Sequence, residues 1–300
     1  MGLKTQAPGE MPGELVCYRR LPEWDAQTLP DGFRRQHNTR EGTWAKLSVL
    51  QGELYFYELD AAGQVLARHC FSPERAPPLV EPGAWHRVAP ASDDLRCYLE
   101  FWCEKDRYYE KKYKLSPAHS EVVAVLDAMP SGEALDLGSG RGRNSVFLHS
   151  RGFQVSAVDR SEAAIEKLRH IIAAEPACQG IQTALYDINE ARIDKDFDLI
   201  VATVVFQFLR PERVGAVIDN LQQRTRAGGL NLIVAPVSSA EHPCPLDFSF
   251  TFREGELRAF YTGWTICKYN ENPGEFHKSD EHGERLRGKF ATLLARNTPA

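Results

Sequence analysis

The pattern of apolar and polar positions changes character after about the first third of the chain. Alternation with period two runs through residues 45–50 (AKLSVL) and 53–59 (ELYFYEL), as in half-buried strands. The turn Gln51-Gly52 between them predicts a hairpin. Further strands are predicted over 64–71 and 95–103. Pro73, Pro77, Pro78, Pro82 and Gly83 fall between these and exclude a long helix. Short strands with Gly/Pro turns indicate a small all-β sandwich or barrel.

After Glu104 the texture shifts. Residues 106–115 are charged and tyrosine-rich, and Ser116-Pro117 predicts a helix over 119–129 with proline in its first turn. From Glu133 onward, short apolar runs alternate with helix-period segments, the signature of βαβ units on a parallel sheet. The last apolar stretches predict strands over 269–277 and 285–294 around a turn at 280–283. The domains are therefore a disordered leader (1–13), a small all-β domain (14–104) and an α/β domain (105–300), with the transition inside 104–116.

Composition narrows the function. Three hundred residues fit two domains, and 43% hydrophobic with 26% charged residues is an ordinary globular balance. A net charge of −5, spread evenly, provides no basic field for nucleic acid or anionic lipid. The longest apolar stretch, 199–209, is broken by Thr203 and Gln207 and falls short of the roughly 20 residues of a membrane helix. No signal segment opens the chain, and the seven cysteines form no CxxC pair. A reduced cytoplasmic protein is the expectation.

The chemistry concentrates in Leu135-Asp136-Leu137-Gly138-Ser139-Gly140-Arg141-Gly142, between a strand at 134–137 and a helix at 143–150. Glycines there let backbone N–H groups approach a ligand, and a helix start favours anionic groups. Asp159 ends the next strand at the spacing where a carboxylate accepts hydrogen bonds from ribose. The glycine spacing is G-x-G-x-G, whereas a dinucleotide site wants G-x-G-x-x-G. Arg143 and Asn144 stand around the place of that last glycine, which argues against a nicotinamide oxidoreductase.

This pattern resembles the first motif of class I S-adenosylmethionine-dependent methyltransferases. The resemblance implies that Asp136, Gly138, Ser139 and Gly140 surround the amino-acid part of the cofactor, and that Asp159, with Arg160 beside it, holds the ribose. Tyr186-Asp187-Ile188-Asn189 follows the third strand, where Asp187 takes the adenine amino group and Ile188 packs on the ring. FDLIVATVV (197–205) is similar to the fourth strand, with Thr203 facing the cofactor, and Arg226-Ala227-Gly228-Gly229 to the turn before the fifth.

More closely, GRNS (142–145), TVVFQFL (203–209), GGLNLIVAPVS (228–238), PCP (243–245), YNENPGEFHKSD (269–280), KFATLLAR (289–296) and the entrance segment KKYKLSPAHSEV (111–122) resemble the tellurite methyltransferase family. HNTREGTWAKLSVLQGELYFYEL and VEPGAWHRV resemble the extra amino-terminal domain of its long form. Two departures stand out: Ser139 where cysteine is frequent, and Pro236, which interrupts the strand after Gly228-Gly229. The resemblance implies a Rossmann-like, mostly parallel seven-stranded sheet ending in an antiparallel hairpin. It also implies methyl transfer from S-adenosylmethionine to tellurium, and selenium, oxyanions, as a detoxification.

A sulfonium is an activated methyl donor and chalcogen(IV) carries its own lone pair, so placement and desolvation suffice. Consistently, the sequence holds no Ser/His/Asp triad, no HExxH and no paired-carboxylate motif. An oxyanion needs cationic or hydrogen-bonding groups. The candidates are Arg143, His277, Lys278 and Arg285, with His277 and Arg285 the catalytic pair; charges beside a hairpin turn also form ordinary solvated rims. Arg143 binds the cofactor carboxylate, binds the oxyanion, or caps sheet edges. Lys112 and Tyr113 either close over the amino-acid end of the cofactor or form a charged linker.

His37 and Pro82-Gly83-Ala84-Trp85-His86 resemble worn cupin motifs without a full ligand set, so no metal is expected; Glu81 adds one carboxylate. Trp44 and Trp85 are expected in the barrel core. The rival readings are a methyltransferase for a thiol or other small metabolite, and a non-catalytic cofactor- or oxyanion-binding protein. A homodimer is compatible with the sequence.

Overall fold

The computed structural model describes residues 14–298; the leader expected at 1–13 lies outside them. The chain separates into two compact units between Lys114 and Leu115.

The first unit contains β1 (Leu15–Arg20), β2 (Trp24–Asp25), the helical turn α1 (Asp31–Arg34), β3 (His37–Asn38), β4 (Trp44–Gln51), β5 (Leu54–Leu59), β6 (Val65–Phe71), β7 (Trp85–Pro90) and β8 (Arg96–Glu104). Helix α2 (Tyr108–Tyr113), assigned from sequence to the second domain, folds with this unit. One antiparallel sheet is built around β8, which pairs with β1, β2 and β4; the other runs β3-β7-β5-β6.

The hairpin expected between β4 and β5 does not form. β4 pairs with β8, whereas β5 pairs with β6 and β7. Alternation marked both strands correctly but carries no information about partners. The turn at Gly52 takes the chain from one sheet to the other, where the Glu53 amide donates to Ser92 Oγ at 2.8 Å. Ala45, Leu47 and Val49 from β4 then meet Leu54 and Phe56 from β5 in a shared core. This phase turns Trp44 and Trp85 to the opposite faces of their strands, half-buried and outside the core where they were expected.

The second unit opens with α3 (Ser120–Ala124), continued by a 3₁₀ turn at Val125–Asp127. It is shorter than predicted, and Pro117 is not in its first turn. His119 is the N-cap, its ring accepting from the Glu121 amide. There follow β9 (Gly132–Leu137), α4 (Arg143–Ser150), β10 (Phe153–Asp159), α5 (Glu162–Ala174), β11 (Gln182–Leu185), β12 (Phe197–Thr203), α6 (Val214–Gln223), β13 (Thr225–Val237), α7 (Glu256–Ala259), β14 (Thr265–Ser279) and β15 (Arg285–Arg296).

The sheet order is β11-β10-β9-β12-β13-β15-β14. The first five strands are parallel, and β15 and β14 complete it antiparallel. This is the Rossmann-like class I methyltransferase fold. Strand order reverses between β9 and β12, so the turn after β9 opens at the switch point where ligands bind such sheets. Helix α5 shows why the local pattern works. Ser161 Oγ caps it by accepting from the Ala164 amide, and Ile165, Leu168 and Ile171 bury one stripe against the sheet.

Pro236 does not interrupt β13. Pairing with β12 ends at Val234, while pairing with β15 continues through Pro236 to Val237. Past Val234 one edge of β13 is free of a neighbouring strand in the sheet, so the missing amide donor breaks no ladder there. Deeper in the sheet, fully buried Asn231 donates to Tyr261 Oη at 2.9 Å and accepts from Thr225 Oγ1 at 2.7 Å. Asn231→Ala strands Tyr261 Oη in the core, while Thr225 Oγ1 keeps its bond to Leu221 O. It is expected to lower unfolding free energy by about 1–3 kcal/mol, read from urea denaturation curves.

Candidate active site

The loop after β9 is held from below. The amides of Gly138 and Ser139 both donate to Val158 O, at 2.9 and 3.0 Å, anchoring the turn on β10. Gly142 is where the packing glycine sits: a Cβ there would lie 2.4 Å from Leu168 Cδ1 of α5. The close packing that the dinucleotide spacing assigns to a later glycine is thus made one position earlier, and against helix α5 rather than a strand. Gly140 has φ +55°, and a Cβ on it would meet nothing within 4 Å, so this backbone faces open space.

Asp136 lies fully buried on β9. Ser145 Oγ, from α4, donates to its Oδ2 at 2.6 Å, while Oδ1 is buried with no hydrogen-bond partner. Burial dominates and pushes the carboxyl up to about 6, partly opposed by the Ser145 bond and the Arg143 charge. Ser139 Oγ is a second buried oxygen left without a partner. Arg143, the first residue of α4, is half-buried, and burial disfavours its cation. An unpaired carboxylate oxygen, an unpaired hydroxyl and a partly desolvated guanidinium around open backbone make a cradle for a zwitterionic group.

Asp159, at the end of β10, accepts the Gly140 amide on Oδ2 and the Ser161 amide on Oδ1, both at 2.8 Å. These bonds fix the carboxylate and leave each oxygen a lone pair for a hydroxyl donor. Arg160 is exposed, with its guanidinium 5.4 Å from the ring centre of Phe208. Ile188 is buried, and Asp187 is exposed with Oδ1 accepting from the Asn189 amide at 2.9 Å. Asn189 Nδ2 reaches Phe208 O at 3.2 Å, tying the segment after β11 to the segment after β12.

Thr203, buried at the end of β12, accepts from Asn144 Nδ2 at 3.0 Å, and Asn144 Oδ1 accepts from the His119 amide at 3.0 Å. Next to Thr203, Val204 has φ +55°, a strained conformation for a β-branched residue. Its carbonyl accepts from Gln207 Nε2, whose Oε1 is a third buried atom without a partner. Asn144, Val204 and Gln207 were given no site role from the sequence, although GRNS and TVVFQFL contain them.

From Phe208 a row of rings leads to the carboxyl-terminal hairpin: Phe208–Phe248 at 6.1 Å, Phe248–Phe276 at 5.7 Å and Phe276–Phe290 at 4.8 Å. His277 is exposed on β14, and its charge reaches the imidazole of His119, as does that of Arg143. Lys278 is exposed beside it, and Arg285 is exposed at the start of β15, opposite Ser279. Lys112 and Tyr113 stand on α2 in the first unit, where Lys112 Nζ bonds Tyr108 Oη at 2.7 Å.

In the first unit, His37 and His86 face each other across β3 and β7 with ring centres 4.1 Å apart. Each Nδ1 is held by a backbone carbonyl, Arg35 O and Ala84 O respectively. Burial lowers both, His86 to about 4. Among the described residues no cluster of three or more His, Cys, Asp or Glu side chains is placed to hold a metal, and no helix is long and apolar enough to cross a membrane.

Known families match both units: "Tellurite resistance protein TehB" over residues 101–294 and "TehB-like domain" over 19–99. A protein of Haemophilus influenzae (strain 10810), named probable S-adenosyl-L-methionine-dependent methyltransferase TehB, is 49% identical over 286 residues, covering 95% of this chain and 99% of that protein. A hemagglutinin 1 of Eikenella corrodens is 41% identical over 240 residues, 80% of this chain and 79% of that one. The crystal structure of TehB from Haemophilus influenzae superposes with a TM-score of 0.84 at 49% identity, over 96% of this chain and 100% of that chain.

Asp136 makes stability depend on pH in an unusual direction. Between the ordinary value of 3.8 and about 6, the unfolded chain releases a proton that the folded carboxyl retains. Stability from this group therefore falls as pH rises through that window, and above it the cost stays on the order of 2–4 kcal/mol. Asp136→Asn removes the titration. Relative to the wild-type protein without ligand, the variant is expected to gain stability by that amount between pH 4 and pH 7, measured by denaturant unfolding at both.

Proposed function

The chain belongs to the TehB tellurite resistance family and is an S-adenosylmethionine-dependent methyltransferase; on that premise we propose that its methyl acceptor is tellurite, with selenium oxyanions as further acceptors, and that it detoxifies them in the cytoplasm. The observation that carries this reading is the half-buried guanidinium of Arg143, placed at the carboxyl ends of the strands within electrostatic reach of His119, which also feels His277. A cation already stripped of part of its water gains most from an anion arriving beside it.

The cradle fits the cofactor. Asp136 Oδ1 and Ser139 Oγ, both lacking partners, would hold its ammonium group, and a cation there draws the Asp136 carboxyl back to its ionised form. Asp159 would accept from the ribose hydroxyls. Ile188 would pack on the adenine, with Asp187 at its amino group. Thr203 lines the floor, fixed by Asn144. When bound, S-adenosylmethionine supplies a methyl group activated by a sulfonium. Arg143 and His277 would hold the oxyanion with its chalcogen lone pair free, and transfer of the methyl group to that lone pair would need no proton to be moved. Arg285, close in sequence on the same hairpin, adds positive charge. The seven cysteines, all free, fit a reducing compartment.

Purified protein incubated with S-adenosylmethionine and tellurite, selenite or buffer is expected to form S-adenosylhomocysteine, measured by chromatography, only when an oxyanion is present. Product that appears only with a thiol would transfer the assignment to that acceptor class. Arg285→Ala and His277→Ala are expected to lower tellurite kcat/KM by about 10–100-fold with S-adenosylhomocysteine affinity within twofold. Unchanged turnover in either variant removes that residue from the acceptor site.

A further inference from the structure

The structure assigns His119 a role that extends the acceptor site: we infer that its Nε2–H donates a hydrogen bond to an oxygen of the oxyanion acceptor, beside Arg143 and His277. The inference rests on the acceptor reading above.

Three observations converge on this imidazole. Its tautomer is fixed, because Nδ1 accepts the Glu121 amide at 3.2 Å as the cap of α3, which leaves the ring proton on Nε2. Its position is fixed as well. The His119 amide donates to Asn144 Oδ1, and Asn144 Nδ2 donates to Thr203 Oγ1, each at 3.0 Å. The residue is thereby pinned against the first turn of α4, next to Arg143, and tied to the carboxyl end of β12. Finally, the ring is partly buried, and burial together with the Arg143 and His277 charges disfavours its protonation, opposed by Glu121. Glu121 is itself engaged, accepting from Lys268 Nζ through both carboxylate oxygens at 2.7 and 2.8 Å.

A neutral imidazole locked as a donor complements the neighbouring guanidinium. Arg143 attracts the anion, whereas a fixed N–H selects the direction from which its oxygen is held. Such a donor leaves the chalcogen lone pair free, because it engages oxygen alone.

The test is substitution at position 119 with both substrates followed separately. His119→Ser keeps a good N-cap oxygen and removes the ring donor; His119→Asn keeps the cap and retains an amide donor. With tellurite as acceptor, H119S is expected to lose about 10–100-fold in kcat/KM. Its thermal midpoint should match wild type, and its S-adenosylhomocysteine affinity by calorimetry should stay within twofold. H119N should recover part of the loss.

Wild-type turnover by H119S overturns the inference. So does a loss confined to S-adenosylhomocysteine affinity, which would assign the imidazole to the cofactor carboxylate, and so does a fall in thermal midpoint that accounts for the lost activity in both variants. If the wild-type protein forms no product with tellurite or selenite, the acceptor reading itself falls, and this inference with it.

Discussion

A carboxylate sealed inside a parallel sheet sets the terms for the rest of the second unit. Asp136 stands in register with Ala157 of β10 and Val201 of β12, both fully buried, so it has no route to water through the sheet. Ser145 satisfies one oxygen, and α4 must therefore begin close enough to deliver that hydroxyl. The close approach at Gly142 makes this possible by letting the helix start settle against Leu168. The other oxygen has no partner in the protein. A natural sequence retains such a cost where function uses it, and the ammonium of an amino-acid ligand is the complement of that charge. Helix start, glycine turn and strand end are thus consequences of one buried negative charge.

Much of this architecture was legible because it is local. The glycine turn, the acid ending β10, the alternation of strand and helix and the final hairpin follow from spacing and periodicity within short windows. Partnership is not local. The β4 and β5 strands were marked correctly, yet which strand each one joins depends on residues far along the chain, and their sheets differ. Pro236 reads as a break because sequence cannot show that β13 outruns β12 at that point. Trp44 and Trp85 are large and apolar, but strand phase gave the inward positions to Ala45 and His86. At the candidate site, Asp136 and Thr203 bond to side chains of α4 and Asp159 to the glycine turn. Asn144, Gln207, the strained Val204 and the capping His119 were given no role, since their meaning lies in backbone strain and in hydrogen bonds that spacing does not show. Lys112 and Tyr113, adjacent in sequence to the entrance of the second unit, fold with the first.

Aromatic packing couples parts of the site that hydrogen bonds do not. Phe208 follows β12 and lies near Arg160, while Phe276 and Phe290 belong to the terminal hairpin; Phe248 stands between them. Phe276 also fits closely against Gly288, where a Cβ would come within 2.5 Å of its ring. Edge and tilted contacts of this kind are worth about 0.5–1.5 kcal/mol each beyond area burial. They hold the hairpin in a defined place relative to the strand ends, which backbone pairing alone does not do.

The hairpin reaches farther than the sheet it completes. β13 accompanies β15 only as far as Lys289; from Arg287 to Arg285 the ladder belongs to β14 and β15 alone. The segment bearing His277, Lys278 and Arg285 thus lies beyond the backbone pairing of the parallel strands. Its two strands pair only with each other there, so the backbone of this tip is held by a single ladder, and the packing of Phe276 on Phe290 at its base is what ties it to the rest of the unit.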